Sequence, residues 1–200
     1  MVFISESEYE PIFVTSNKGE KVRILGPWDY DRLRATVPKE YLGSILDVCL
    51  WTGARYVEVQ RLYDNPEWFQ KTRQNIFLGR EATKKARRVA PERYISPLPP
   101  QLVSILPYFF KDKKPPARDG WNNNIKRWAE KAGFDPLGFS AKTTRKTIES
   151  WMLAAGVSEM QICLRQGHTQ ATSLQHYSSI GFTREEKEEI RRRLKGWMIE

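Results

Sequence analysis

The sequence predicts a mainly α-helical protein with one small antiparallel β-sheet. Apolar residues recur at helical spacing through much of the chain, whereas the short apolar run QNIFL (74–78) is typical of a strand. Hydrophobic residues make up 40% of the 200 residues. This is enough apolar material for the core of one ordinary domain, so a wholly disordered chain is excluded.

In the first third of the chain, helices are predicted only after an irregular segment. Residues 1–28 are expected to form an irregular or weakly β lead-in, with a turn over 19–21. Apolar residues within 41–50 follow helical spacing and predict a helix that stops at Gly53, because glycine suits a C-cap. A second helix is predicted over 55–62, directly after this glycine.

The middle of the chain predicts a β-hairpin, a short helix and a loop. The strand candidate 74–78 and a weaker one over 87–98 flank the polar segment REATKKA (80–86), which is expected to form the turn. The second strand is weaker because a proline interrupts it. A short helix is predicted over 101–110, followed by a charged, proline-containing loop over 111–120.

The C-terminal part is predicted to be helical. Helices are expected over 121–132, 141–155, 157–166, 170–178 and 183–197. The last helix starts at Thr183 and carries Glu186 three residues later, which is the pattern of a capping box. Its first half is acidic and its second half is basic, an order that suits the helix dipole.

The excess of basic residues indicates a polyanionic partner. The 33 Lys and Arg residues exceed the 24 Asp and Glu residues, which gives a net charge of +9. A charge of this size is typical of nucleic-acid-binding proteins, although a soluble protein can also be basic without such a partner.

Membrane and secreted classes are not expected. No apolar run approaches the roughly 20 residues that a membrane-spanning helix needs, and the first ten residues contain no basic apolar leader. Cys49 and Cys163 lie far apart within apolar stretches. Buried thiols in a reducing compartment are therefore expected, and the chain is predicted to be cytoplasmic.

Several enzyme classes lack their sequence signatures in this chain. There is no GxxxxGK[ST] loop and no GxGxxG turn, so nucleotide use is not indicated, and no GxSxG elbow is present. Cys163, His168 and His176 do not follow a standard zinc spacing. We therefore expect no cofactor and no metal ion.

The candidate functional residues are polar and basic residues at points where local apolar structure ends. They are Arg55, Lys84, Lys85, Lys142, Arg145, His168 and Tyr177. Taken singly, each has an ordinary structural explanation, since an arginine after a turn often pairs, hairpin lysines protect an edge and a tyrosine packs. Lys142 and Arg145 share one face near the start of a helix, where cations are usually just exposed, although they fit the helix dipole better if a phosphate lies nearby.

In this order, the residues resemble the catalytic domain of the tyrosine recombinases, or phage-type integrases. TGARYVEVQRL (52–62) resembles the family's first motif, in which an arginine follows Thr-Gly. RQGHTQATSLQHYSSI (165–180) resembles its last motif, in which Gly-His is followed nine residues later by the nucleophilic tyrosine. A hairpin lysine matches the family's β-strand lysine, and the segment 142–145 stands in the place of His-x-x-Arg.

Lys142 departs from the family pattern, which has histidine at this position. A lysine here is similar to integrases of archaeal spindle-shaped viruses, which implies integration of a viral genome. The resemblance covers about residues 29–180. It implies the tyrosine recombinase catalytic-domain fold over 29–182, preceded by the 1–28 lead-in and followed by a C-terminal helix or tail over 183–200. Because only a short lead-in precedes this domain, the chain is expected to be either a catalytic fragment or a minimal enzyme.

The resemblance implies a site-specific recombinase that cleaves and rejoins double-stranded DNA at attachment sites. Tyr177 would attack the scissile phosphate and form a covalent 3′-phosphotyrosyl intermediate. Because the covalent link stores the phosphodiester energy, strand exchange would need neither ATP nor a metal ion. Self-association into a tetramer on DNA is also implied.

Roles for the other site residues follow from the same resemblance. Arg55 and Arg145 would hold the non-bridging phosphate oxygens, to which a guanidinium fork is well matched. Replacing either by alanine is then expected to leave the melting temperature nearly unchanged. His168, with Lys142, would complete the phosphate cradle and accept the tyrosine proton, and one of the two hairpin lysines would protonate the departing 5′ oxygen.

Further basic residues are expected to contact the DNA backbone. This set consists of Lys111, Lys113, Lys114, Arg118, Lys126 and Arg127. Two other functions fit the same residues. One is a type IB topoisomerase, which relaxes DNA with similar chemistry, and the other is a non-catalytic DNA-binding protein on the same fold.

Overall fold

A computed structural model describes residues 10–15, 19–82, 92–167 and 180–200. Its helices are α1 (Pro27–Ala35), α2 (Glu40–Thr52), α3 (Tyr56–Asp64), α4 (Pro100–Lys111), α5 (Arg118–Lys131), α6 (Thr143–Ala154), α7 (Glu159–Gln166) and α8 (Arg184–Leu194). Its strands are β1 (Ile12–Thr15), β2 (Lys21–Ile24), β3 (Phe69–Gln70), β4 (Asn75–Leu78) and β5 (Arg93–Ile95). The prediction of a mainly helical protein with small antiparallel pairing is confirmed.

The N-terminal segment contains a β-hairpin where an irregular or weakly β lead-in was expected. Strands β1 and β2 are antiparallel, with Ile12 opposite Ile24 and Thr15 opposite Lys21. Lys21 therefore lies in a strand and not in the predicted turn. The reason is the apolar side chains of both strands, since Val14 and its partner Val22 are buried against the helices.

The predicted hairpin in the middle of the chain is confirmed, within a three-stranded sheet. The strand order is β3-β4-β5 and each pair is antiparallel. Ile76 lies opposite Ile95, and both are fully buried. Only 93–95 of the weaker candidate 87–98 forms a described strand, and the predicted turn residues 83–86 lie outside the described ranges.

Helices α2 and α6 form the centre of the core. Trp151 of α6 is fully buried, and its indole N–H donates to the Leu25 carbonyl at 2.8 Å, which ties α6 to the end of β2. Trp51 of α2 contacts the Trp151 ring edge-on, with 6.2 Å between centroids. Helix α2 ends where predicted, because Gly53 adopts φ 63° and ends the helix in the left-handed region.

Helices α3 to α8 match their predicted positions with shifted ends, whereas no helix was predicted over α1 (Pro27–Ala35). Helix α5 begins at Arg118, inside the predicted 111–120 loop. Helix α8 ends at Leu194, earlier than predicted, and packs against α1 and α6 through the buried Ile190 and Leu194. The Thr183 capping box is confirmed. The predicted helix over 170–178 lies outside the described residues. Within the described ranges, no helix has the length and apolarity required to cross a membrane.

Candidate functional site

Arg55 is placed by the chain reversal between α2 and α3. The left-handed Gly53 lies close to α7, because a Cβ added there would be 2.8 Å from Gln166 Nε2. Arg55 follows as the residue before α3. Its backbone N–H donates to Glu58 Oε2 at 2.7 Å, and its Nη1 donates to Glu58 Oε1 at 2.9 Å. Arg55 is thus fixed at the helix entrance, yet 42% of its side chain is exposed.

Arg145 reaches the same place from the first turn of α6. Its Nη1 donates to the Gly53 carbonyl at 2.6 Å, and its Nη2 donates to the Gln166 carbonyl at 2.7 Å. Arg55 Nη2 donates to the next carbonyl, that of Gly167, at 3.3 Å. Burial and the positive charge of Arg55 lower the pKa of Arg145 to about 10, so Arg145 stays protonated at neutral pH.

A third arginine, Arg93 of β5, joins this pair at the C-terminal end of α7. Its Nε donates to the carbonyl of Arg165 at 3.1 Å. The three consecutive carbonyls of 165–167 therefore each accept from a different arginine, contributed by β5, α6 and the entrance of α3. A helix leaves its last carbonyls unpaired and carries partial negative charge at its C-terminal end. The three arginines supply hydrogen-bond donors for these carbonyls and positive charge next to the helix end.

Glu58 supplies the negative charge of the cluster. Its carboxylate is fully buried and accepts from Arg93 Nη1 at 3.1 Å and Nη2 at 2.7 Å, in addition to Arg55. Burial alone would raise the pKa of Glu58, but the hydrogen bonds and charges of the surrounding arginines outweigh it and lower the pKa to about 2.

Sequence reasoning assigned no role to Glu58 or Arg93. Glu58 stands three residues after Arg55, the spacing at which an acidic side chain accepts from the backbone N–H at a helix entrance. This spacing alone predicts the contact between Glu58 and Arg55. Arg93 gave no such signal, because it lies in a short strand far along the chain from both partners.

The structure bears on the expectation that replacing Arg145 by alanine leaves the melting temperature nearly unchanged. Arg145 holds two backbone carbonyls of different elements, so its side chain also supports the fold. We therefore expect Arg145→Ala to lower the melting temperature, since two buried carbonyls would lose their donor.

Lys142 is brought next to the N-terminal hairpin. It is the residue before α6, and its ammonium forms an ion pair with the carboxylate of Glu20. Because 34% of the Lys142 side chain is exposed, a competing anion can reach its ammonium group. The structure thus brings Arg55 and Arg145 together at the end of α7 and pairs Lys142 with an acidic residue of another segment.

Four predicted site residues lie outside the described residues, namely Lys84, Lys85, His168 and Tyr177. Their neighbours along the chain are described. The two lysines belong to the connection between the paired strands β4 and β5. His168 directly follows Gly167, whose carbonyl Arg55 contacts. The roles of all four stay predictions.

The expected DNA-contact residues lie on α4, α5 and the loop between them, and all six side chains are exposed. We call them the α4–α5 basic surface: Lys111, Lys113, Lys114, Arg118, Lys126 and Arg127. Lys114 pairs with Asp64 at 2.6 Å. Lys126 and Arg127 border a shallow cavity of about 510 Å³ on the exposed side of α5.

Helix α5 contacts the chain next to both Arg55 and Lys142. Trp121 is fully buried and stacks on Tyr56, the residue after Arg55, with 5.1 Å between ring centroids. The Asn122 side-chain oxygen accepts from the Ala141 N–H at 2.8 Å, just before Lys142. The part of the basic surface on α5 is therefore held in a fixed position relative to Arg55 and Lys142.

The cysteines match the prediction of buried thiols, since Cys49 and Cys163 are both free and buried. Burial raises the pKa of each thiol. In the part of the chain that the structure describes, no three histidine, cysteine, aspartate or glutamate side chains are grouped so that they could hold a metal ion.

The arrangement as a whole is a cluster of guanidinium groups held by a buried carboxylate and by helix carbonyls. Such groups bind and stabilise anions with trigonal or tetrahedral oxygens, phosphate above all. The chain matches no protein-family model, no curated protein and no solved structure with which it was compared.

Proposed function

We propose that this chain is a site-specific DNA recombinase of the tyrosine class, an integrase that cleaves and rejoins double-stranded DNA. One observation carries the proposal. Arg55 and Arg145, from two helices far apart in sequence, meet at the C-terminal end of α7, and His168 directly follows the capping residue Gly167. The segment that follows contains Tyr177.

The chemistry assigned to this site is attack by a tyrosine on a phosphodiester. The Tyr177 hydroxyl oxygen bonds to phosphorus and gives up its proton to His168, while the bond from phosphorus to the 5′ oxygen breaks. The departing oxygen takes a proton from Lys84 or Lys85, and the product is a 3′-phosphotyrosyl link with a free 5′ hydroxyl. The reverse steps rejoin the strand.

Arg55 and Arg145 supply the charge that this transition state needs. Extra negative charge develops on the non-bridging oxygens, and a fixed guanidinium stabilises it without reorganising during the step. Arg145 is held by the carbonyls of Gly53 and Gln166, and Arg55 is exposed enough for a phosphate to reach it. Loss of one such donor costs about 10²–10³ in rate.

The partner in this proposal is double-stranded DNA. The net charge of +9 and the α4–α5 basic surface support phosphate contacts along a duplex. Site-specific exchange between two duplexes needs four cleaving tyrosines, so the proposed assembly on DNA is a tetramer of this chain.

A trapping experiment tests the proposal. The protein is incubated with a pool of labelled duplexes that have a randomised centre and a nick, so that a short cleaved strand diffuses away and blocks rejoining. We expect a protein–DNA adduct that survives detergent, with the label on a peptide containing Tyr177. Tyr177→Phe removes one oxygen, and it should bind duplex like the wild type yet form no adduct.

Tyr108→Phe is the matched control, because Tyr108 is 73% exposed on α4 and lies outside the proposed site. It should form the adduct at the wild-type rate. An adduct formed by Tyr177→Phe overturns the proposal. Supercoil relaxation without exchange between two sites would identify a topoisomerase instead, and duplex binding without any adduct would identify a non-catalytic DNA-binding protein.

A further inference from the structure

Arg93 is fully committed to contacts inside the protein. Its two terminal nitrogens donate to the two oxygens of Glu58, at 3.1 and 2.7 Å, and its Nε donates to the Arg165 carbonyl at 3.1 Å. Only 7% of its side chain is exposed. A ligand that approaches from solvent can therefore reach Arg55, whose side chain is 42% exposed, but not the buried guanidinium of Arg93.

The Glu58 carboxylate connects these two arginines. Glu58 Oε1 accepts from Arg93 Nη1 and from Arg55 Nη1, and Glu58 Oε2 accepts from Arg93 Nη2 and from the Arg55 backbone N–H. The plane of the Arg93 fork fixes the plane of the carboxylate, because a bidentate pair leaves little rotation. The carboxylate in turn fixes the guanidinium of Arg55.

The approach of Arg93 to α7 is also close. Gly167 has φ 67°, and a Cβ added there would lie 2.9 Å from Arg93 Cδ. A side chain at 167 would push the arginine away from the helix end, so the glycine is needed both for the backbone conformation and for this contact.

Stability alone is a weak explanation for the buried pair. Breaking such a pair is costly, but replacing both partners by apolar side chains of similar size is often neutral or stabilising. What an apolar pair cannot do is orient the guanidinium of Arg55. A role in orientation therefore accounts for both charges of the pair.

We propose that Arg93 is a positioning residue, which orients Arg55 toward the scissile phosphate through Glu58 and ties the β4–β5 hairpin to the catalytic arginines. This inference rests on the proposed recombinase function. The hairpin contains the candidate general acids Lys84 and Lys85, so the same contact links the part of the chain that protonates the leaving group to the part that holds the phosphate.

The test compares two duplexes that differ at the scissile phosphate. One has the natural phosphodiester, and the other has a methyl group in place of a non-bridging oxygen, which makes the phosphate uncharged. Arg55→Ala is expected to lose about 100-fold in single-turnover cleavage of the natural duplex and far less on the uncharged one, because a neutral phosphate needs less positive charge. Arg93→Met should reproduce this pattern, although Arg93 does not touch the phosphate.

A purely structural role gives a different pattern. Arg93→Met would then slow cleavage of both duplexes by the same factor, and this result would overturn the inference. The double variant Arg93→Met with Glu58→Met guards against poor folding, because an apolar pair should restore the melting temperature. It should still cleave the natural duplex slowly, and a wild-type rate in the double variant also contradicts the inference.

A measurement without DNA separates this inference from the proposed function. In the free wild-type protein, the guanidinium protons of Arg55 should give slowly exchanging NMR signals, assigned with Arg55→Lys. In Arg93→Met, the guanidinium protons of Arg55 should exchange rapidly with solvent, so these signals should be lost. Unchanged signals in Arg93→Met overturn the inference alone, whereas a wild-type protein that never forms the adduct overturns the proposed function as well.

Discussion

The Arg165 guanidinium lies over the indole ring of Trp197, with 5.1 Å from Arg165 Cζ to the ring centroid. Arg165 also donates to the Pro97 carbonyl at 2.7 Å and to the Trp51 carbonyl at 2.8 Å. Burial and the charge of Arg93 lower the pKa of Arg165 to about 9, so it is a cation at neutral pH. The C-terminal segment thus packs against its own chain, next to the elements that hold the arginine site.

We expect Trp197→Ala to destabilise the whole protein by about 3 kcal/mol, a typical cost for a buried tryptophan. Trp197 is 7% exposed and contacts Trp51 edge-on at 6.0 Å. Equilibrium unfolding in urea measures the change. Trp28→Ala is the matched control, because Trp28 is 51% exposed, and its effect should stay within about 0.5 kcal/mol. Equal effects of the two variants would show that the C-terminal segment does not dock in solution.

Acid should destabilise the protein through Glu58. Its pKa of about 2 in the folded state lies below the ordinary value of 4.5, so the unfolded chain binds the proton first as the pH falls. The contribution of Glu58 is therefore complete above pH 4.5 and is lost between pH 4.5 and about 2. The shift corresponds to about 3 kcal/mol.

Comparing the pH dependence of unfolding in Glu58→Gln and in the wild type checks this prediction. The variant lacks the titrating group, so its free energy of unfolding should fall less steeply over this range. Glu130→Gln removes an exposed carboxylate and serves as the control, which should follow the wild-type slope. Parallel slopes for Glu58→Gln and the wild type would contradict the arginine–carboxylate pairing.

Removing the two proposed phosphate-binding arginines should affect stability unequally. Arg145→Ala leaves the carbonyls of Gly53 and Gln166 without their donor, and we expect a loss of about 2–4 kcal/mol. Arg55→Ala should cost less than about 1 kcal/mol, because Arg55 is partly exposed and Glu58 keeps Arg93 as its partner. Thermal and urea unfolding measure both, and cleavage should fall strongly in each. A larger loss of stability in Arg55→Ala than in Arg145→Ala would contradict this prediction.

The hairpin lysines can be separated by chemistry of the leaving group. If the strand geometry extends to the hairpin tip, adjacent side chains would point to opposite faces, so we expect only one of Lys84 and Lys85 to donate the proton. Alanine at that position should slow cleavage of a natural duplex but not of one with a 5′ sulfur leaving group, which needs no proton. If neither alanine variant is slower on the natural duplex, the general acid lies elsewhere.

The α5 end of the basic surface should bind DNA phosphates measurably. We expect the double variant Lys126→Ala with Arg127→Ala to reduce the slope of log affinity against log salt by about 2, roughly one unit for each phosphate that is no longer neutralised. Arg184→Ala with Lys187→Ala removes two exposed cations from α8 and should leave the slope unchanged. Equal slope changes in the two double variants would place the duplex across both surfaces.

The elements that the sequence determined by itself are those whose cause is local. Helix α2 follows from the spacing of its apolar residues, and it ends at Gly53 because glycine tolerates the left-handed conformation. The capping box of Thr183 and Glu186 is a contact between residues three positions apart, so its pattern can be found in the sequence directly. The hairpin of β4 and β5 was partly predictable for the same reason, since β4 is a short apolar run before a polar segment, whereas only 93–95 of the weaker second candidate forms a strand.

Only the tertiary structure decided which charged groups meet. Glu58 and Arg93 are 35 residues apart, and Arg145 contacts a carbonyl 92 residues away, so neither partner could be inferred from spacing. These contacts exist because the packing of α2, α6 and α7 removes the groups from water, and a buried charge or carbonyl must then find a partner inside the protein. The sequence therefore supplied Arg55 and Arg145 as candidates, and the packing determined that they share one helix end and that Arg93 and Arg55 share one carboxylate.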